Sequence, residues 1–277
     1  MTTIKSADLN EAGMNWASRE VAERRSRGQA GRGEIYGQAT ELMLDLADVR
    51  TGSRVLDVAA GTGDQTLFAA QRVGPNGYVL ATDISASMLK LAADAAREAG
   101  LTNVETRVVD AENLDLDADS FDAVICQLGL MVFPNPATVL RAMRRVVRQG
   151  GKVATLVFST AEKNPYQSII LGAARRFGGT PPPLFSLGET DLLENTFTDN
   201  GFLTVTVRAV NFRRHISSVP ELIRRLKESA FLRQPIEKLG ESERELAWVE
   251  IEQEFSQFQG RNSVEIPGEV LIGVGTK

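Results

Sequence analysis

From residue 54 the hydrophobic positions fall into short blocks at 54–59, 78–82, 104–109, 122–127 and 152–158, each dominated by Val, Ile, Leu and Ala. Short blocks rich in Val, Ile and Leu suit strands buried on both faces of a parallel sheet. The stretches between them carry helix-end signals. Residues 85–99 begin at Ser85, whose hydroxyl can cap free N–H groups, and stop at Gly100. Residues 136–149 begin with Asn135-Pro136 and stop at Gly150-Gly151. Strand and helix alternate, which predicts a doubly wound α/β core.

The flanks follow other rhythms. Residues 8–27 read as a polar helix containing Arg19, Arg24, Arg25 and Arg27. Gly28, Gly31 and Gly33 predict a break, and 34–48 a second helix with Ile35, Leu42, Leu44 and Leu46 as its contacts. Beyond residue 159 the pattern predicts helices at 164–177 and 189–199, separated by a loop through Gly178-Gly179-Thr180-Pro181-Pro182-Pro183. Alternation at 203–211 predicts a sixth strand, and Val270 to Val274 a last one. Between them lie Ser218-Val219-Pro220-Glu221, spaced as a capping box, and a charged helix at 241–258.

Composition narrows the class. The chain has 277 residues, a formal charge of −5 and one cysteine, Cys126. That excludes an intramolecular disulfide and a cysteine-based metal cluster, and no metal site is expected. Met1 to Gly13 contain no apolar secretory core. No apolar run approaches the roughly 18 residues that span a bilayer. The expectation is a cytoplasmic protein acting on a small molecule, not on nucleic acid, with a homodimer open through the N-terminal helix. The acidic balance argues against a phosphate backbone as partner.

The chemistry concentrates where the first block ends. Val55-Leu56-Asp57-Val58-Ala59-Ala60-Gly61-Thr62-Gly63 runs a strand into a glycine turn, and Val79 to Asp83 runs a second strand into a carboxylate. Glycine lets the backbone turn sharply and approach a ligand, and the helix that follows offers free N–H groups to an anion. A carboxylate ending the second strand can accept both ribose hydroxyls. A dinucleotide fingerprint needs a third glycine where Thr66 stands. The acidic lead-in at Asp57 suits a cationic cofactor better than a pyrophosphate. The residues therefore favour S-adenosylmethionine (SAM). Val108-Val109-Asp110-Ala111-Glu112 ends the third strand, where Asp110 could bond an adenine amine, and Gln127 ends the fourth.

In order and spacing, residues 50–160 resemble the class I SAM-dependent methyltransferases, in particular the ubiquinone/menaquinone-biosynthesis C-methyltransferases and their small-molecule relatives. The resemblance implies a Rossmann-like, doubly wound, seven-stranded and mostly parallel sheet with an antiparallel last strand. N-terminal helices (1–50) and a helical cap between the last two strands (212–262) would flank a SAM-binding core (51–160), with 161–202 also facing the acceptor, all in one domain over 1–277. It implies cofactor contacts from Asp57, Ala59, Gly61, Thr62, Gly63, Asp83, Ile84, Met88, Asp110, Ala111, Glu112 and Gln127. Thr62 would lie beside the methionine moiety, Asp110 and Ala111 beside adenine, and Gln127 at the methyl-transfer end. The chain departs from the quinone enzymes at Met131-Val132, where Arg-Asn is usual, and at Arg148-Gln149, where Lys-Pro is usual. Those departures leave the acceptor open.

Other residues have plainer readings. His215 is the single histidine and the one candidate general base, although a lone histidine is more often structural. Cys126 reads as a buried strand residue. Tyr36, Phe133 and Tyr166 could line a pocket but read as packing. Arg213-Arg214 and Arg224-Arg225 read as solvated faces, and Asn164-Pro165-Tyr166 stands one strand too late for an amino-methyltransferase motif. Two alternatives remain: a nicotinamide-dependent oxidoreductase, and a SAM-binding protein without methyl transfer.

Overall fold

The computed structural model describes residues 18–27, 29–229 and 231–277. Residues 8–17 of the helix expected over 8–27, and the break at Gly28, lie outside them. In chain order the elements are α1 (Arg19–Arg27), α2 (Gln29–Leu46), β1 (Arg54–Val58), α3 (Asp64–Val73), β2 (Tyr78–Asp83), α4 (Ala86–Glu98), β3 (Val104–Val108), β4 (Phe121–Gln127) and α5 (Pro136–Val146). Then come β5 (Val147–Phe158), α6 (Pro165–Arg176), α7 (Thr190–Asp199), β6 (Leu203–Ile216), α8 (Val219–Glu228), α9 (Gln234–Glu237), α10 (Glu241–Ser256) and β7 (Val264–Thr276).

The strands form one seven-stranded sheet in the order β3-β2-β1-β4-β5-β7-β6. β1 to β5 are parallel, and β7 runs antiparallel between β5 and β6. The expected Rossmann-like architecture is present. The strand order reverses between β1 and β4, so their carboxyl ends open the crevice where α/β sheets bind ligands.

The apolar blocks of β1, β2, β4 and β5 are buried along most of their length. The block at 104–109 is different. β3 is an edge strand, Val108 is 56% exposed, and the alternating Glu105 and Arg107 face solvent. Ser85 caps α4 as expected, its hydroxyl accepting from the Met88 N–H. Asn135 makes no side-chain cap, although Pro136 does open α5. α5 ends at Val146, ahead of the glycines, because residues 147–151 already belong to β5. There the backbone of Gly150 and Gly151 pairs with Lys277 at the chain end.

Two larger corrections matter for the site. Gly31 and Gly33 do not break a helix: α2 runs straight through them. The cost of about 1 kcal/mol per helical glycine is outweighed by anchoring, since Arg32 between them bonds Asp64, Thr62 and the Arg25 carbonyl. The last hairpin is also longer than its apolar core suggested. β6 and β7 stay paired out to Ile216 and Val264, so the helical insertion shrinks to the segment between them. Within it, Ser218 accepts from the Glu221 N–H, half of a capping box, while the Glu221 carboxylate turns to Arg224 and Arg225.

Candidate functional site

A cavity of about 1160 Å³ opens at the carboxyl ends of β1, β2 and β4. Drug-sized ligands typically occupy about 300–1,000 Å³, so the space can take two small molecules side by side.

Its floor is the glycine turn. Ala59, Gly61 and Gly63 all adopt positive φ, at 57°, 57° and 88°. Gly61 borders the cavity, so nothing larger than hydrogen separates its backbone from a ligand. Gly63 is needed for packing: a Cβ there would lie 2.9 Å from Ala92 Cβ on α4. Leu128, the residue after β4, is also left-handed at φ 56° and borders the cavity. Left-handed backbone at Ala59 and Leu128 thus stands at the ends of two adjacent central strands, where the cavity opens.

Asp83 ties the turn to β2. Its Oδ2 accepts the Gly61 N–H and its Oδ1 the Ser85 N–H, both at 2.9 Å. Burial pushes its carboxyl above the usual range, while those bonds and the Arg25 guanidinium pull it back. Ile84, Met88, Ala111 and Glu112 line the same end. Asp110 does so while its Oδ1 accepts the Glu112 N–H at 3.0 Å, so it serves the turn as well as the cavity. Gln127 lines the middle, its Oε1 accepting from Thr40 Oγ1 at 2.8 Å.

Three expected contacts lie elsewhere. Asp57 is fully buried beneath the turn, accepting from Gln65 Nε2 at 2.9 Å and Thr66 Oγ1 at 2.6 Å. Thr66, which replaces the third glycine of a dinucleotide motif, is thus a strut for Asp57. Thr62 is buried and accepts from Arg32 Nη2 at 2.9 Å, and Gly63 faces α4; neither borders the cavity. These residues shape the turn from behind.

Burial pushes Asp57 up to about 7, against the bonds from Thr66 and Gln65 that lower it. Its unfolded value is near 4. Between those values the folded state holds the extra proton, so stability falls as pH rises toward 7 and levels off above it. Asp57→Asn keeps a carbonyl for Gln65 and cannot ionise. Urea unfolding near pH 5 and pH 8 should show the wild-type decline reduced in the variant by about 2–3 kcal/mol. Equal pH slopes in the two proteins would refute this account of Asp57.

Cys126 is fully buried, and burial pushes its thiol up to about 12. The native protein should not react with a disulfide dye at neutral pH and should titrate one thiol once unfolded. Fast labelling of the folded chain would contradict this.

His215 belongs to β6. Its side chain is 63% exposed and its Nδ1 lies 3.6 Å from Glu265 on β7. It borders the cavity but is engaged outward, which weakens the case for a general base.

The sequence reading missed the arginines. Arg24, Arg25 and Arg32 border the cavity from the N-terminal helices. Arg25 lies close enough to Gly61 that a Cβ there would sit 3.5 Å from its Nε. Burial and the neighbouring Arg32 lower its pKa to about 10. The available signal was the arginine cluster at Arg19, Arg24, Arg25 and Arg27, although nothing in the sequence placed it against the turn at Gly61. Arg214 is the larger departure from a solvated face. It is buried at 9% exposure, with its guanidinium carbon 4.3 Å above the Tyr166 ring and 5.4 Å from those of Tyr36 and Phe212. Its Nη2 donates to the Tyr36 hydroxyl. Tyr36, Phe133 and Tyr166 do line the cavity. Asn164 is structural, bonding Ser159, Thr160 and the Glu269 N–H.

Only part of the expected cap faces this space. Arg224 and Arg225 on α8 and the following Phe231 and Leu232 border the cavity, while α9 and α10 pack behind them against α6. No group of acids, cysteines and histidine able to hold a metal occurs among the described residues. Among them, no helix is long and apolar enough to cross a membrane.

Comparison with known proteins agrees with this geometry. Residues 35–170 match the model of the ubiE/COQ5 methyltransferase family. A ubiquinone/menaquinone biosynthesis C-methyltransferase UbiE of Pseudomonas savastanoi is 44% identical over 117 residues, covering 42% of this chain and 46% of the relative. The chain thus spans about half the length of the curated relatives it matches. The YcgJ protein of Bacillus subtilis superposes with a TM-score of 0.59 at 19% identity, over 87% of this chain and 98% of that one. A Haemonchus contortus phosphoethanolamine N-methyltransferase bound to S-adenosylhomocysteine gives 0.56 at 18% identity, over 87% and 52%. The described chain has the Rossmann-like methyltransferase fold, and its residues 35–170 carry the sequence pattern of the ubiE/COQ5 methyltransferase family.

Proposed function

We propose that the protein transfers a methyl group from SAM to a small-molecule acceptor, the whole chain working as one methyltransferase domain. One observation carries the reading. A single cavity is lined by Gly61, Asp83, Asp110 and Ala111, which suit a nucleoside, and also by Gln127, Tyr166 and residues of α8, which leave room for a second molecule. The family match over 35–170 supports the same chemistry for the nucleoside end.

The residues fit that cofactor. Asp83 keeps acceptor capacity for ribose hydroxyls beyond its two backbone bonds. Ala111 and Met88 offer apolar surface, and Asp110 an acceptor, to a purine. The turn and the start of α3 present N–H groups, and Arg25 a positive charge, to a carboxylate. Bound SAM would supply an electrophilic methyl on sulfur. The chain's own contribution is to align the acceptor and exclude water, and alignment alone can lower a barrier by about 7–11 kcal/mol. Gln127, fixed by Thr40, orients groups where the two molecules would meet. Loop closure by α1 and α8 over the cavity would complete the exclusion of water. A net charge of −5 fits a small acceptor better than nucleic acid, and pairing of two chains through the N-terminal helices belongs to the same proposal.

The test is incubation of the full chain with methyl-labelled SAM and a panel of phenols, quinols, amines and carboxylic acids, followed by mass spectrometry. A labelled product lost on cofactor omission supports the reading. Cofactor binding with no product from any class would favour a SAM-binding protein that does not transfer methyl groups.

A further inference from the structure

We infer that Arg214 is an anion-recognition point for the acceptor, and that the acceptor carries a carboxylate attached to a flat or apolar body. This rests on the two-molecule reading above and names the class of the second molecule.

The argument begins with charge. Residues alternate along β6, so Arg213 and His215 share one face and Arg214 takes the other. Arg213 and His215 both lie near Glu265 across the ribbon. Arg214 pairs with no carboxylate among the described residues, and its buried Nε has no hydrogen-bond partner. A guanidinium never gives up its charge in a protein, and burying one without an anion is unfavourable. Aromatic faces offset part of that cost, but they leave the Nε unbonded. Nearby Arg225 does not act as a free charge, since its Nε donates to Glu221 at 2.7 Å.

Geometry then selects the anion. Arg214 lies between Tyr166 of α6 and Tyr36 of α2, with Phe212 on its own strand. The guanidinium is flat, and its edge presents donors in a fork that fits a planar carboxylate through two parallel bonds. Of the arginines from β6 and α8 that border the cavity, Arg213, Arg224 and Arg225 face Glu265, Glu221 and Glu228, so among the described residues there Arg214 alone lacks a carboxylate, and a monoanion balances it. Tyr36, Tyr166 and Phe133 border the cavity and offer aromatic surface to the body of the ligand. Arg214 comes from β6, which three strands separate from β1, and the methionine carboxylate of the cofactor is the competing partner that the test below distinguishes.

The test compares naphthalene-2-carboxylate, naphthalene-2-carboxamide and 2-naphthyl phosphate by calorimetric titration into the full chain, with and without S-adenosylhomocysteine. The carboxylate should bind at least about tenfold tighter than the isosteric amide. Arg214→Met should erase that preference while leaving S-adenosylhomocysteine affinity within about threefold, and Arg214→Lys should restore part of it. Circular dichroism melts check that each variant is folded. No carboxylate preference in the wild type, an undiminished preference in folded Arg214→Met, or tighter binding of the phosphate would each overturn the proposal. So would a tenfold or larger loss of S-adenosylhomocysteine affinity in Arg214→Met, which would assign the arginine to the cofactor. If S-adenosylhomocysteine does not bind the wild type, the methyl-transfer reading fails. The carboxylate and amide titrations without it still decide the role of Arg214.

Discussion

Asp83→Asn is expected to weaken SAM binding by on the order of a hundredfold while the fold persists. The substitution acts at two places. An amide cannot offer the ribose a charged acceptor, and hydrogen bonds to charged groups are worth about 1.5–3 kcal/mol each. One carboxylate oxygen also becomes an NH2 group, which then faces the N–H of Gly61 or Ser85, because the carboxylate now accepts both at 2.9 Å. One of those contacts turns from attraction to repulsion, and the turn that forms the cavity floor loosens. Titration of the variant with SAM reads the first effect, and a urea midpoint lowered by about 1–3 kcal/mol reads the second. Unchanged affinity would remove Asp83 from the ligand site and leave it a purely structural tie.

Gly63→Ala carries the largest expected effect on stability, about 2–4 kcal/mol, from a left-handed backbone and an overfilled contact. At φ 88° an L residue is strained, and the added Cβ would sit 2.9 Å from Ala92 Cβ and 3.1 Å from its Cα. Ala92 is fully buried on α4 and has no flexible side chain to move aside. Gly52 separates the two contributions: its φ is 85° but nothing lies within 4 Å of a Cβ there. Gly52→Ala should therefore cost only the strain, about 1–2 kcal/mol. Equal losses for the two variants, measured by urea unfolding, would show that the approach of α4 to the turn contributes nothing.

The turn and Asp83 were legible in the sequence because their geometry is local, whereas the packing of Gly63 against Ala92, 29 positions on, was not. A strand followed by glycines, and a strand ended by a carboxylate, specify their geometry within a few residues. The same holds for the Ser85 cap and for the apolar blocks of the four central strands. What was hidden depends on residues distant in sequence. Asp57 looked like a ligand contact because an acid before a glycine turn can be one; its burial follows from Gln65 and Thr66 on the next helix closing over it. Arg214 looked solvated because its neighbours on β6 are polar, and a strand's period of two puts alternate residues on opposite faces without saying which face is covered. The cover comes from Tyr36 and Tyr166, which are 178 and 48 positions away. α2 runs through Gly31 and Gly33 because Arg32 is held by Asp64, 32 residues on. The outer ends of β6 and β7 escaped notice because their apolar residues are few and interrupted: Phe212 and Ile216 flank Arg213, Arg214 and His215, and Val264 and Ile266 are cut off from Val270 by Pro267, Gly268 and Glu269.

The glycine turn therefore has two layers. Gly61 and Asp83 face the cavity, and Asp57, Thr62, Gly63 and Thr66 hold the turn from behind. That layering also separates the cofactor classes, since Thr66 is committed to Asp57 at the position where a dinucleotide fold needs glycine for close helix packing. Calorimetric titration of the full chain with SAM and, separately, with NADH tests the central claim most directly. SAM should bind at one site per chain with a dissociation constant in or below the micromolar range, and NADH should give no saturable heat. Saturable binding of NADH without binding of SAM would contradict the account.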